Sequence, residues 1–311
     1  MKFHLVPRQL LYLEAVAEHG SIQAASRALG IAASAIDRHI KTLEEANGAP
    51  LFERLPRGMR PTAAGESVIV MARRWRADAD RLETGLLEMR GKEYGSVRLA
   101  GMDSLCNGVL LDLHKDLRAN QPNLRLSLDI MTPTDALRAL EEGTVDVAMT
   151  FNAPPMRHQH VLWQRKLRLG CIVASNHPLA TAGKLSLSDV DGHALVSQSA
   201  LMPTRQYLDN RHAWFFASNR PVLTSNSIQL LKQALLQGDV AMITSELDML
   251  PELMDGRLRF LPLKEAGLAS PTISTVIDAR RPLSRAARVV AEYLGTQTEE
   301  LISAFAAPTA P

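Results

Sequence analysis

The chain has 311 residues, of which 46% are hydrophobic, 22% charged and 5% aromatic, and this excludes a single small domain, a disordered chain and a fibrous one. A formal net charge of +2 is too small to name a partner, because whole-chain charge hides local basic surfaces. No apolar run is long enough to span a bilayer, and Glu14, Glu18 and His19 interrupt the first apolar stretch, so neither a signal peptide nor a membrane contact is expected and the cytoplasm is the default.

From Pro7, Leu10, Leu13 and Ala17 recur at helical spacing with Leu11, Tyr12 and Val16 beside them, until "HGS" breaks the pattern near His19. Ser21 is a good N-cap for a short second helix, "IQAASRALG", whose small residues Ala24, Ala25 and Ala28 permit a close crossing and whose Gly30 supplies a tight turn. A third helix follows, with Ile36, Ile40 and Leu43 as its buried stripe. Its open side carries Ala33, Ser34, Asp37, Arg38 and Lys41. The next stretch sets Arg54, Arg57 and Arg60 around Pro56 and Gly58, a turn with arginines on its strands and tip. Such a wing suits phosphate or minor-groove contact, and the same residues also fit a solvated basic loop.

The run from "AVAEHGS" to "RPTAAGE" resembles the winged helix-turn-helix of the LysR-type transcriptional regulators. The resemblance is carried by Gly20, Ser21, Ala24, Ala25, Leu43, Glu44, Leu51, Phe52, Glu53, Arg54, Thr62 and Gly65, and it covers the whole segment without a gap. It implies that Ser21, Gln23, Ala33, Ser34, Asp37, Arg38, Lys41, Arg54, Arg57 and Arg60 face double-stranded operator DNA. Two departures bear on that. The family usually has Ser-Gln where this chain has Ala32 and Ala33, and Ser or Thr where it has Asp37. Ala32 removes a cap, and Ala33 cannot make the bidentate adenine contact open to Gln. Asp37 either accepts from cytosine N4, reading an unusual site, or faces Arg38 or Lys41 and reads nothing.

After Gly65, the residues Val68, Ala72, Trp75, Ala79, Leu82, Leu86 and Met89 alternate steps of four and three, a heptad seam on a helix otherwise lined with charge. A long helix with one narrow stripe predicts a homodimer, in agreement with the family's linker helix. The alternative is packing on the protein's own body. "GKEYGS" reads as a hinge.

Beyond it, strands and helices alternate: "VRLAG", an amphipathic helix in "SLCNGVLLDLHKDLRANQPN", "LRLSLDI", "PTDALRALEEG" and "VDVAMT", then a similar series from "RKLRLGCIVASNHPLA" onward and a last strand and helix from "PTISTVIDARRP". Alternation argues for parallel βαβ units in two lobes with a cleft between them. This part is similar to the effector domain of LysR-type regulators, a relative of periplasmic binding proteins, through its strand cores, Gly143, Asp146 and the His177-Pro178-Leu179 turn. The expected architecture is therefore an N-terminal all-α winged helix-turn-helix (1–64), a long linker helix (65–90), a hinge (91–95) and a C-terminal α/β two-lobed, periplasmic-binding-protein-like effector domain (96–311), with lobe I at 96–164 and 268–311 and lobe II at 165–267.

Ligands in such lobes sit at the C-terminal ends of strands and at helix N-termini. That rule selects Met102, Asp103, Ser104, Leu105, Cys106, Thr132, Pro133, Thr134, Thr150 and Asn152 from one lobe, and Ser197, Leu201, Met202, Pro203, Thr204, Ser225, Asn226 and Ser227 from the other. Each Ser or Thr is also a candidate helix cap. Asp103 meets a ligand amine or guanidinium, or caps its own helix. The mixture suits a small carboxylic acid or amino compound.

No catalytic motif appears, and no cofactor or metal is expected. His158 and His160 lie in the Pro154-Pro155 crossover loop with no third ligand in reach and read as surface histidines. Cys106 and Cys171 read as structural thiols of a reducing compartment, with Cys106 also a candidate cleft wall. The resemblance implies a non-enzymatic regulator that binds operator DNA, senses an effector, contacts RNA polymerase and forms a homotetramer on a bent site. A binding protein or enzyme with a vestigial helical head, and a DNA-binding protein without an effector, are the two rivals.

Overall fold

The computed structural model describes residues 6–56, 58–89, 95–200, 202–265 and 270–306. Two compact units emerge, Met1–Tyr94 with Glu141–Thr144, and the remainder from Gly95 to Pro311.

The first unit contains α1 (Arg8–His19), α2 (Ile22–Leu29), α3 (Ala33–Asn47), the antiparallel pair β1 (Phe52–Leu55) and β2 (Gly58–Pro61), and α4 (Ala63–Met89). Leu13, Val16, Ala25, Ile36, Ile40, Leu51, Phe52 and Ile69 form one buried core. The punctuation is local. Ser21 accepts the Ala24 amide at 3.1 Å as the cap of α2, and Gly30 closes that helix in the left-handed region. Ala32 precedes α3 with no side-chain cap, as its missing hydroxyl requires.

Three residues of the family pattern hold the chain after α3. Glu44 Oε1 accepts the Leu51 and Phe52 amides at 2.8 and 3.2 Å. Thr62 donates its hydroxyl to the Pro50 carbonyl and accepts the Gly65 amide. The turn of the wing meets the end of α1, where the Met59 amide donates to the Gly20 carbonyl at 2.7 Å.

The first turns of α4 belong to this core: Ile69 and Ala72 are buried, and Val68 packs beside them. Buried Glu14 of α1 pairs with Arg76, and burial pushes its carboxyl up against the pull of Arg76 and Arg73. From Trp75 onward the large described side chains of the stripe are open, with Ala79 half-buried among them. Trp75, Leu82 and Leu86 are 48%, 52% and 47% exposed. The heptad seam thus divides into a half that packs on the head and an open half. The side chain of Met89, residue 90 of the linker helix and hinge residues 91–94 lie outside the described residues.

The second unit begins with β3 (Ser96–Gly101), α5 (Val109–Asn120), β4 (Arg125–Ile130), α6 (Pro133–Glu142), β5 (Val147–Phe151) and β6 (Gln159–Lys166). It continues with β7 (Leu169–Ala174), β8 (Val196–Gln198), α7 (Pro203–Arg211), α8 (Ala213–Ser218), β9 (Leu223–Ser225), α9 (Ile228–Leu236), β10 (Ala241–Ser245), α10 (Leu250–Met254) and β11 (Leu258–Pro262), and ends with β12 (Thr272–Asp278) and α11 (Arg285–Ala306). One sheet has the order β4-β3-β5-β12-β6, and a second has β10-β7-β11 with the short pair β8-β9 nearby.

The expectation of parallel βαβ units holds for part of this. β3 is parallel to β4 and β5, and β8 to β9. β12 is antiparallel to both β5 and β6, and β7 is antiparallel to both of its neighbours. The chain crosses between lobes twice, and β12, on its return to the first sheet, runs antiparallel to both of its neighbours. The crossover loop is also shorter than expected. His160 sits on β6 opposite Ile277, because the alternating "QHVLWQRK" pairs as an edge strand instead of continuing the Pro154-Pro155 loop.

Candidate nucleic-acid interface and inter-lobe site

The outer side of α3 presents exposed Ser34 and Arg38, and exposed Gln23 lies near the start of α2. Ala33 is half-buried and brings no donor. Asp37 is engaged on both oxygens: Lys41 Nζ lies 3.0 Å from Oδ2, and Arg54 Nη2 lies 2.7 Å from Oδ1. Hydrogen bonds from Arg54 and then Lys41 hold its carboxyl below the usual aspartate range. The partner on the wing is one that spacing along the helix did not suggest, since Arg54 is 17 residues away. On the wing itself, Arg60 grips Glu53 with two donors at 3.2 and 2.6 Å. Arg57 lies outside the described residues. Arg38 is the cation of this face with no carboxylate partner among the described residues.

In the second unit, several of the expected cleft residues hold backbone. Thr132 accepts the Asp135 amide and donates to its carboxylate, capping α6, which Pro133 begins. Ser227 caps α9, and Ser225 accepts the Ser227 amide. Asn152, at φ 48°, accepts the Thr272 amide at 2.9 Å and joins β5 to β12. Thr134 and Asn226 are exposed. Buried Thr150 meets the Met102 sulfur at 3.8 Å, and buried Ser197 accepts from Arg205. Met202 packs into the core cluster that holds Leu105, Leu247 and Leu250, and Thr204 is buried. Leu201 and the side chain of Pro203 lie outside the described residues.

Asp103 is not an unpaired carboxylate. Its Oδ2 accepts the Gln229 amide at 3.3 Å and its carbonyl accepts from Gln229 Nε2 at 2.9 Å, so it caps α9 of the other lobe and not its own helix. Burial, with the charge of Asp103, pushes the Cys106 thiol up, and burial pushes Cys171 up to about 12. Neither is an activated thiolate.

The residue that sequence reasoning missed is Asp248, fully buried just after β10. It accepts the hydroxyls of Ser104, Thr244 and Ser245. Burial pushes its carboxyl up, opposed by those three donors. The one signal was an acidic residue inside the apolar run "SELDML". Ser104 comes from the lobe of β3 and Asp248 from the lobe of β10, so this bond and the Asp103–Gln229 pair both cross between lobes. A cavity of about 220 Å³ lies beside it, lined by Ser104, Asn107, Val109, Leu247, Leu250 and Met254 among others. Arg168, at the nearby crossover, lies over the rings of Phe260 and Phe305 and pairs with buried Glu246. Among the described residues no cluster of His, Cys, Asp and Glu is arranged to hold a metal, and no helix is long and apolar enough to cross a membrane.

A three-helix head with a wing, carrying a basic recognition face and followed by a two-sheet α/β unit with polar contacts across its seam, defines a DNA-binding regulator with a ligand-type domain. Residues 7–66 match the family described as bacterial regulatory helix-turn-helix protein, lysR family, and residues 90–299 match the LysR substrate binding domain. The chain belongs to the LysR family of transcriptional regulators. It is 26% identical over 272 residues to the regulator CbbR of Xanthobacter flavus, covering 84% of this chain and 79% of that one. A stretch of 140 residues is 36% identical to ClcR of Pseudomonas putida, covering 45% of this chain and 48% of that one. The fold is shared with a full-length OxyR variant from Pseudomonas aeruginosa, at a TM-score of 0.67 and 14% identity over 94% of this chain and 95% of that one. It is also shared with full-length CbnR complexed with its target DNA, at 0.63 and 19% over 94% and 99%.

Proposed function

We propose that this LysR-type regulator grips operator DNA through Ser21, Gln23, Ser34, Arg38, Lys41, Arg54, Arg57 and Arg60, and that a small molecule held between the lobes sets how it does so. Residues 1–64 serve as the DNA-binding head, 65–90 as the dimerising helix, 91–95 as the hinge and 96–311 as the effector domain. The observation that carries the reading is the exposed polar face of α3 beside a wing built from arginines, a surface that suits backbone phosphates and groove edges. The open stripe of Trp75, Leu82 and Leu86 supports a homodimer, and two dimers make the tetramer usual in the family. The protein works in the cytoplasm, where DNA and RNA polymerase are its partners. Its output is occupancy of a promoter and not turnover of a substrate.

The effector is a small carboxylate or amino compound, and Ser104 and Leu105 are expected contact residues that line the cavity beside the lobe seam. A ligand that favours one lobe angle shifts a population, because the Ser104–Asp248 and Asp103–Gln229 contacts must be kept or broken as the angle changes. The shift reaches the DNA through the spacing of paired heads and the bend they impose. Footprinting on the intergenic DNA beside its own gene, at physiological salt with competitor DNA, tests the reading. A protected two-part site whose pattern changes with a metabolite of the neighbouring genes is expected. Absence of specific protection by the folded dimer, with or without those metabolites, would sink it.

A further inference from the structure

The carboxylate on the recognition helix is committed before DNA arrives. Asp37 Oδ2 holds Lys41 one turn along α3, and Oδ1 holds Arg54 on β1. The cluster joins two separate elements, and no other ion pair among the described residues ties α3 to the wing. To read cytosine N4, a carboxylate must offer an oxygen to the base edge. An oxygen that already faces a guanidinium or an ammonium has its charge compensated and its direction set by that partner.

We propose that Asp37 is a tether and not a base reader: it fixes the wing's Arg54 against the recognition helix and joins Arg54 and Lys41 in one charge-compensated cluster. Three charged groups then present a net charge of one where two free cations would present two. The sequence-independent attraction for phosphate is reduced accordingly, while helix and wing approach the duplex as a unit. Arg38, which lacks such a partner among the described residues, remains the uncompensated cation of α3. Sequence choice therefore falls to groups other than Asp37. The proposal deepens the DNA-binding reading and rests on it.

The test uses the full-length protein, as wild type, Asp37→Asn and Asp37→Glu, with thermal melts to verify that each is folded. Two measurements are made: binding to a mixed-sequence duplex over a range of salt, and selection of preferred sites from a random duplex library. For Asp37→Asn, tighter binding to the mixed duplex is expected, with a slope of log affinity against log salt steeper by about 1 per bound head. The base pairs selected should be those of the wild type. Asp37→Glu, which keeps a carboxylate within reach of both cations, should return the slope towards the wild-type value. Loss of preference at a single C·G pair by Asp37→Asn, with the slope unchanged, would overturn the tether and make Asp37 a reader. A wild type that binds no duplex and selects no sequence would overturn the DNA-binding reading itself, and the tether with it.

Discussion

A Cβ placed on Gly65 would fall 1.9 Å from the carbonyl oxygen of Leu51. The long helix therefore begins pressed against the strand that leads into the wing, at a distance only glycine permits. The Gly65 backbone amide also donates to Thr62 Oγ1, so the two positions of the Thr-x-x-Gly pattern serve one joint. Gly65→Ala should destabilise the head by about 2–3 kcal/mol or more, because the obstacle is backbone and not a flexible side chain. A thermal melt followed with DNA binding checks this, and an unchanged melt would mean that the joint relaxes freely.

Glu44 acts on the same joint from the other side. Its carboxylate accepts two successive amides, so Glu44→Ala leaves the Leu51 and Phe52 donors without their partner at a cost of about 1–3 kcal/mol. Hydrogen exchange at those two amides should speed up, while exchange in the core of α1 changes little. Equal acceleration throughout the head would point to global loss of structure instead.

Arg38 and Arg54 should differ in their contribution to DNA affinity. Arg38→Ala removes a cation with no carboxylate partner among the described residues and should lower the salt slope by about 1 per head, weakening all duplexes alike if it meets phosphate. Arg54→Ala should weaken binding more, because it takes its cluster's net charge from one to none and also unties the wing from α3. Unchanged affinity in both variants would contradict the assignment of this face to DNA.

The open half of the α4 stripe makes a prediction about assembly. Leu82→Glu places a charge where a second helix would bury a leucine, and should raise the dimer dissociation constant at least about tenfold, about 1.4 kcal/mol. Sedimentation of the purified protein reads this directly. Unaltered sedimentation would move the dimer contact elsewhere.

Asp248 provides a test by pH. Its folded pKa lies above the unfolded value because burial disfavours the charge, so the folded protein holds the proton more tightly. The stability this brings is fully present below the unfolded carboxylate range and is lost as pH rises through the folded value. Asp248→Asn keeps the shape and removes the titration. The stability of the wild type relative to Asp248→Asn should therefore fall as pH rises above the ordinary carboxylate range, measured by urea unfolding. Parallel profiles would mean that the hydroxyls of Ser104, Thr244 and Ser245 fully offset the burial.

The head could be read from the sequence because its determinants are local. Ser21, Gly30 and the Ile36–Ile40–Leu43 stripe act within a turn or two of themselves, and the family pattern coincides with joints such as Glu44 and Gly65. The contacts that matter between lobes are distant ones. Ser104 and Asp248 are 144 residues apart, and neither carries a spacing that announces the other. Of the hydroxyls expected to face a ligand, Thr132 and Ser227 cap helices, since a strand end followed by a helix start asks for a cap whether or not a ligand is present. Direction of strand pairing was equally hidden: the return of 268–311 to the first lobe is expected, but alternation of strand and helix does not say which way its strand runs.

That returning strand sets an order of synthesis. β12 lies between β5 and β6, yet more than a hundred residues separate Lys166 from the far end of β12 at Asp278. Until the ribosome has released that last strand, the sheet has a slot between β5 and β6, and these two raw edges are able to pair with other chains. The head and the second lobe can complete themselves earlier, so the newborn protein holds a DNA-gripping end while its sensing end is still open. A transcript cut short before Thr272 would yield a head without a finished sensor, prone to edge-to-edge association and deaf to any effector.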